Sequence, residues 1–338
     1  MPRLVTTDEG AAVAPILEPE QLTLFEGLGI DLAGLRMERA ALAERKWAPS
    51  TRRAYSFDWA DFTWWCMSAG RCSLPATADT VSLYLVASAR KGREVPTLAR
   101  RLAAITHEHL EFGYRSPVDV DVREVLAGLK RKLGTAPRHA KAALSADDLR
   151  RVVDLVPEGA RGARDRALLL LGFASSLRRS ELAALQLGDV AGVREGLVIR
   201  LARSKTDQTG VGRELGVHKG KRGSPTCPVR AWRAWLVERG SWPGPLFCFV
   251  DAAGALHRRP MSGDSIAVAI KACVRAAGLD PAKYSGHSLR SGMATAAAAN
   301  GASDRAIMSR TGHKTSEMVS RYVRHGSLFA VDPLRGVL

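Results

Sequence analysis

The sequence predicts a mostly helical chain of two domains: an N-terminal bundle of four or five helices, then a mixed α+β domain holding a small antiparallel sheet. Three observations predict this. At 338 residues the chain is longer than a single core commonly serves. Helix-length amphipathic segments recur along it, and one pair of short segments alternates as strands do. An aperiodic basic stretch with a proline, TAPRHAKAA from Thr135, separates four helical segments from the remainder.

The elements follow in order. Residues 1–44 carry 3 basic against 8 acidic residues, with Pro2, Pro15 and Pro19, and read as a flexible acidic tail with a short helix around Leu32–Leu42. The helical domain is expected over 45–134, the linker over 135–144 and the second domain over 145–338. Pro49-Ser50-Thr51 opens the first bundle helix with a hydroxyl cap, and Trp59, Phe62 and Trp65 share a core-facing side. Further helices are expected at Thr80–Lys91, from Pro96 to Gly113, and in VREVLAGLKRKLG ending at Gly134. Ser145, with Asp147 and Asp148 behind it, caps the first helix of the second domain. RDRALLLLGFASSLRRSELAAL predicts a buried helix, a break at Ser175-Ser176 and a second helix. GLVIRLARSK and GRELGV alternate around TDQTGVG as a hairpin. Helical segments then recur near 226–239, 262–277, 287–301, 303–310 and 315–324.

Charge narrows the function. Lys+Arg is 50 against Asp+Glu 34, a net +16, and the excess lies in both halves of the body rather than in the tail. Two basic domains imply one polyanionic partner. In the bundle, Arg52, Arg53, Arg100, Arg101, Lys130 and Arg131 gather near helix ends, with Thr97 beside them, where phosphate contacts are natural. The five cysteines, Cys66, Cys72, Cys227, Cys248 and Cys273, are widely spaced with no ligand-type pairing, so no metal is expected and a reducing compartment is. The first residues lack the apolar run of a signal peptide, and the longest apolar run, Ala167 to Ala174, is too short to span a bilayer. The expectation is a soluble, cytoplasmic protein with no membrane partner.

One stretch raises a chemical question. GHSLRSGMATAAAANGASDRAIMSRTGHKTSEMVSRYV, from Gly286, is alanine-rich helix, yet carries His287, Arg290, His313 and Tyr322. Upstream, Arg178 follows the helix break in SSLRRSEL. Guanidinium groups fork onto phosphate oxygens, imidazole moves protons near neutral pH, and a phenol can attack phosphorus to leave a covalent ester that conserves the bond. Taken singly, each residue has a plainer reading. Tyr322 is half-buried packing, His287 a cap or core histidine, Arg178 the ion-pair partner of Glu181, and Lys205 a solvated turn residue. Only the set points to phosphodiester chemistry.

As a set they resemble the tyrosine recombinases, the phage integrase family. SLRRSEL matches the first box with Arg178 and Glu181, HSLR the second with His287 and Arg290, TGHKT the third with His313, and SRYV the nucleophile box with Tyr322. ARSKTDQTGV resembles the hairpin that brings a catalytic lysine, here Lys205, and APSTRRAYSFDWADFTWWC with VPTLARRLAAI resembles the DNA-clamping domain of Cre-like members. The resemblance covers roughly residues 45–325 and implies a SAM-like helical DNA clamp followed by a mixed α+β catalytic domain. It implies that Tyr322 attacks the scissile phosphate and leaves a 3′-phosphotyrosine. Arg178, Arg290 and His313 would hold the non-bridging oxygens, Lys205 would protonate the leaving 5′-oxygen, His287 would assist the tyrosine proton, and Glu181 would orient Arg178. No metal, ATP or other cofactor enters. The partner implied is double-stranded DNA with an inverted-repeat site, bound by four protomers on two sites and exchanged through a Holliday junction. Cre-like members carry tryptophan where His313 stands here. Arg258 and Arg259, with Asp264 and Ser265 on the following helix, are the expected base-reading residues; a carboxylate there would accept from cytosine. Beyond Tyr322, Leu328, Phe329, Val331 and Leu334 would anchor a segment on a neighbouring protomer or fold back. Alternatives are a type IB topoisomerase-like enzyme, a telomere-resolving enzyme, and a DNA-binding regulator with a dead site.

Overall fold

Pro49 sits in the first turn of a helix, where its fixed φ suits the conformation and its missing N–H leaves nothing unpaired. The structure, a computed structural model, describes residues 31–44, 46–136, 140–202 and 212–326. The chain divides into two compact units, Met1–Arg138 and His139–Leu338.

The described part of the first unit is helical: α1 (Leu32–Glu44), α2 (Pro49–Ser68), α3 (Ala78–Arg90), α4 (Val95–Glu111) and α5 (Val120–Leu133). The hydroxyl cap expected at Ser50-Thr51 is not made; Ala48 occupies the cap position without a side-chain bond. Two later starts are capped by side chains. Thr77 Oγ1 accepts from the Thr80 backbone N–H at 3.2 Å, and Asp119 Oδ1 from that of Val122 at 3.0 Å. Phe62, Tyr84, Leu85, Leu98, Ile105 and Val122 form the core, with Trp59 and Trp65 packed against it. The aromatic side of α2 is therefore structural, as its spacing predicts.

In the second unit, the entering chain bonds directly to later elements. Lys141 Nζ donates to the Ala282 carbonyl, Ala142 N–H to that of Lys283 and Leu144 N–H to that of Ser288. Residues 140–144, expected as linker, thus belong to this unit. Then come α6 (Ala146–Asp154), α7 (Ala160–Ser175) and α8 (Arg179–Ala184). Strands β1 (Val190–Gly192), β2 (Gly196–Leu201) and β3 (Arg213–His218) form an antiparallel sheet in that order, with Ile199 opposite both Val190 and Leu215. Helix α9 (Pro228–Arg239) leads to an antiparallel pair, β4 (Cys248–Val250) with β5 (Leu256–Pro260), that no alternation in the sequence signals. The chain closes with α10 (Gly263–Ala276), α11 (His287–Ala299), α12 (Asp304–Thr311) and α13 (Ser316–Gly326).

Helix α7 is the axis of this unit. Leu168 to Leu171 are all buried, and the core extends through Leu182, Ile199, Leu215, Trp235 and Leu289. A smaller cluster of Ala294, Ala298, Ile307 and Val319, with Tyr322 against it, holds α13 on α11. This answers the question posed by the alanines: small side chains on α11 let α13 seat closely, and that seating sets Tyr322. Gly292 has a backbone reason too, since a Cβ there would lie 2.0 Å from the Leu144 carbonyl oxygen. Among the described residues, no helix is long and apolar enough to cross a membrane.

Candidate active site

The site begins at the corner between α7 and α8. Ser176 turns the chain in the left-handed region, φ 57° and ψ 27°, and is fully buried. Its carbonyl accepts from Arg290 Nη1 at 2.8 Å. Two residues on stands Arg178, which Glu181 serves twice. One carboxylate oxygen accepts the Arg178 backbone N–H at 2.8 Å, the other its Nη1 at 2.7 Å. One side chain thus caps α8 and fixes the guanidinium. Arg213, the first residue of β3, approaches the same carboxylate, its Nη2 4.0 Å from Glu181 Oε2. Arg213 Nη1 also lies 3.4 Å from the carbonyls of Ser309 and Arg310 in the last turn of α12.

Helix α11 supplies His287 at its first position and Arg290 one turn later. Arg290 is 1% exposed, and its Nη2 lies 3.0 Å from Nε2 of His313. Gly312, at φ 66°, turns the chain out of α12 and brings His313 back so that its Nδ1 is 2.9 Å from Thr311 Oγ1. The His313 ring stacks on Tyr322, with centroids 5.9 Å apart and planes 17° apart. The Tyr322 hydroxyl lies 3.1 Å from Nε2 of His287. Arg178, Glu181, His287, Arg290, His313 and Tyr322, singled out from the sequence, therefore converge on one site.

Electrostatics define what this site accepts. Burial, then the nearby Arg178, lowers the Arg290 pKa to about 10. Burial followed by Arg290 and Arg178 lowers that of His287, and the same causes with His287 push His313 down to about 4. Both imidazoles are then neutral near pH 7, and a neutral ring carries the lone pair that a proton acceptor needs. Two guanidinium groups, those of Arg178 and Arg213, share one carboxylate, Arg290 feels the same charge, and the Nε of Arg290 is buried without a partner among the described residues. Such a surplus of buried donors and positive charge suits an anion, and the phenol stands beside it.

The phage integrase family profile matches residues 142–327, and the chain belongs to that family, the tyrosine recombinases, whose members cleave and rejoin DNA. It is similar to an integrase/recombinase xerD homolog of Selenomonas ruminantium, 35% identical over 296 residues and covering 86% of each chain. Recombinase cre of Escherichia phage P1 is 27% identical over 316 residues, covering 87% of this chain and 88% of its own. Among solved structures, the Tn1549 transposon integrase in complex with transposon right end DNA shares the fold, with TM-score 0.58 at 14% identity, covering 84% of this chain and 92% of that one.

The expected DNA contacts fare unequally. Arg52 and Arg53 are exposed near the start of α2, and Lys130 and Arg131 on the last turn of α5. Thr97 is half-buried. Arg100 is split between solvent and Asp58, its Nη1 2.9 Å from Oδ2. Arg101 is a correction. It is 3% exposed, and its Nη1 pairs with Asp61 at 2.8 Å and Ser88 at 2.9 Å, so it braces the bundle and does not face a phosphate. Arg258 and Arg259 are exposed on β5, lying over the Trp242 and Phe249 rings at 5.2 and 3.8 Å. Asp264 pairs with Arg179 at 3.0 Å, and Ser265 bonds back to Ser262 at the start of α10. Lys205 and the segment with Leu328, Phe329, Val331 and Leu334 lie outside the described residues. Sequence reading missed Arg213, Ser176 and Thr311. Thr311 stands inside the TGH box and Ser176 at the predicted helix break, whereas Arg213 had no local signal.

Proposed function

We propose that the chain is a site-specific DNA recombinase whose nucleophile is Tyr322. The phenol oxygen attacks the scissile phosphorus in line, its proton passes to Nε2 of His287, and the bond from phosphorus to the 5′-oxygen breaks. A 3′-phosphotyrosine and a free 5′-hydroxyl result, the leaving oxygen taking its proton from Lys205. Arg178 and Arg290 carry the charge that builds on the non-bridging oxygens, with Glu181 orienting Arg178. His313, whose Nε2 lies 3.0 Å from Arg290 Nη2, joins them on the non-bridging oxygens. The first unit grips the duplex through Arg52, Arg53, Arg100, Lys130 and Arg131, while Arg258, Arg259, Asp264 and Ser265 read the target. Four protomers on two inverted-repeat sites complete the exchange.

The observation that carries this reading is the Tyr322 hydroxyl 3.1 Å from a neutral His287, beside the Arg290–His313 pair. The test is a nicked suicide duplex built on an inverted repeat from the flanks of the protein's own locus. Wild type should form a denaturant-resistant adduct on the 3′ side of the break, and Tyr322→Phe should bind the duplex but form none. An adduct that survives in Tyr322→Phe would overturn the assignment.

A further inference from the structure

We propose that Arg213 is a positioning residue for Arg178: anchored on the end of α12, it steadies the Glu181 carboxylate that orients the Arg178 guanidinium. The effect on rate rests on the recombinase reading; the tie between Arg213 and Arg178 does not.

Arg213 stands between two negative poles. Its Nη2 is 4.0 Å from Glu181 Oε2, too far for a hydrogen bond but close enough for the charges to attract. That same Oε2 accepts the Arg178 backbone N–H at 2.8 Å, while Oε1 holds the Arg178 side chain at 2.7 Å. A pull on Oε2 therefore acts on both of the bonds that Glu181 makes to Arg178. On the opposite side, Nη1 lies 3.4 Å from the carbonyl oxygens of Ser309 and Arg310. These close α12, where carbonyls have no partner within the helix and the dipole is negative. Gly312 leaves room for the guanidinium: a Cβ there would stand 2.8 Å from Nη1.

The anchor is fastened from both sides. Arg310, in the last turn of α12, sends Nη1 back to the Gly216 carbonyl in β3. Strand and helix are thus tied by two arginines pointing in opposite directions, which keeps Arg213 in reach of Glu181. Burial lowers the pKa of both arginines. At Arg213 the Glu181 charge works against that effect and the Arg178 charge adds to it. A carboxylate drawn from two sides is confined, whereas one drawn by Arg178 alone follows that side chain as it moves.

The test uses the full-length chain and two variants. Arg213→Met keeps the apolar stem and loses the charge; Arg213→Lys keeps a charge but not the fork that reaches both Glu181 and α12. Nitrogen NMR, with the Arg178 signals identified by their loss in Arg178→Lys, should find slow rotation of that guanidinium in wild type and faster rotation in Arg213→Met. At saturating protein on the nicked duplex, single-turnover adduct formation should fall about tenfold in Arg213→Met and about threefold in Arg213→Lys, with duplex affinity within about twofold of wild type in both. An unchanged rate in Arg213→Met, or a lower rate with Arg178 rotating as in wild type, would overturn the proposal. If wild type forms no adduct on any duplex, the recombinase reading fails, while the NMR arm still decides whether Arg213 steadies Arg178.

Discussion

The hydroxyl of Tyr322 and Nε2 of His287 are 3.1 Å apart, although 35 residues separate them in the chain. His287 is held below its ordinary pKa by burial, Arg290 and Arg178, and in the proposed mechanism its lone pair receives the phenol proton.

Adduct formation should therefore depend on His287 being neutral. The rate should be level near neutral pH and fall on the acid side, through a pKa displaced downward from the ordinary histidine value. His287→Gln should lower the rate by roughly 10²- to 10⁴-fold, the range for loss of a general base, and remove that acid limb. Single-turnover pH–rate profiles of the two proteins check this.

The depressed pKa of His313 also bears on stability. In the unfolded chain the ring takes up a proton near its ordinary value of 6.5, whereas in the folded chain it does so only near 4. Its contribution is thus fully present above 6.5 and is lost as pH falls toward 4. Across this window His313→Gln should lose less Tm than wild type, as thermal melts at stepped pH would show. His287 contributes in the same direction and should preserve part of the slope in that variant.

Glu181 answers two arginines from a nearly buried position. Glu181→Ala leaves Arg178 and Arg213 facing each other uncompensated and should cost about 3 kcal/mol. Glu181→Gln keeps an acceptor for the Arg178 backbone and should cost less, while still slowing adduct formation by about tenfold through a looser Arg178. Urea titration and single-turnover kinetics separate the two effects.

Ser176 holds a left-handed conformation with a side chain that gains nothing from it, since its buried Oγ finds no partner among the described residues. Ser176→Gly removes the Cβ penalty and should raise stability by roughly 1 kcal/mol. Ser176→Val should lower it. The midpoint of urea unfolding reads both.

In the first unit, neighbouring arginines should fail differently. Arg101→Ala leaves Asp58 with Arg100 alone and Asp61 with the Tyr84 hydroxyl alone, and should cost about 3 kcal/mol. Arg53→Ala should leave stability within about 0.5 kcal/mol of wild type, weaken DNA binding, and reduce the salt dependence of binding by about one phosphate. Melting curves and binding titrations at several salt concentrations distinguish the two.

The contrast between Arg53 and Arg101 shows what the sequence makes legible. Period locates helices well because it is local, and a cap does so where its hydrogen bond forms: Ser145 accepts from the Asp148 backbone as its position predicts, whereas the hydroxyl cap expected at Ser50-Thr51 does not form. The active-site boxes are legible because each is short and chemically unusual. Which arginine faces solvent is a different matter. Arg100 and Arg101 are equivalent by composition, and only the tertiary placement of Asp58 and Asp61 on α2 turns one inward. Arg213 reaches Glu181 from 32 residues away, a pairing with no local trace. Strands β4 and β5 are too short and too irregular, with a bulge between Cys248 and Phe249, to announce themselves by alternation.

The bonds from Lys141, Ala142 and Leu144 to the segment around α11 have a practical corollary for dissecting this chain. The carbonyl of Leu144 fills the space that Gly292 leaves, two residues beyond Arg290. A truncated protein started at Ser145 would strip this edging from the helix that bears the chemistry and bare its backbone to water. Cut upstream of Lys141, the same piece keeps its selvage, and that is where a recombinant boundary should fall.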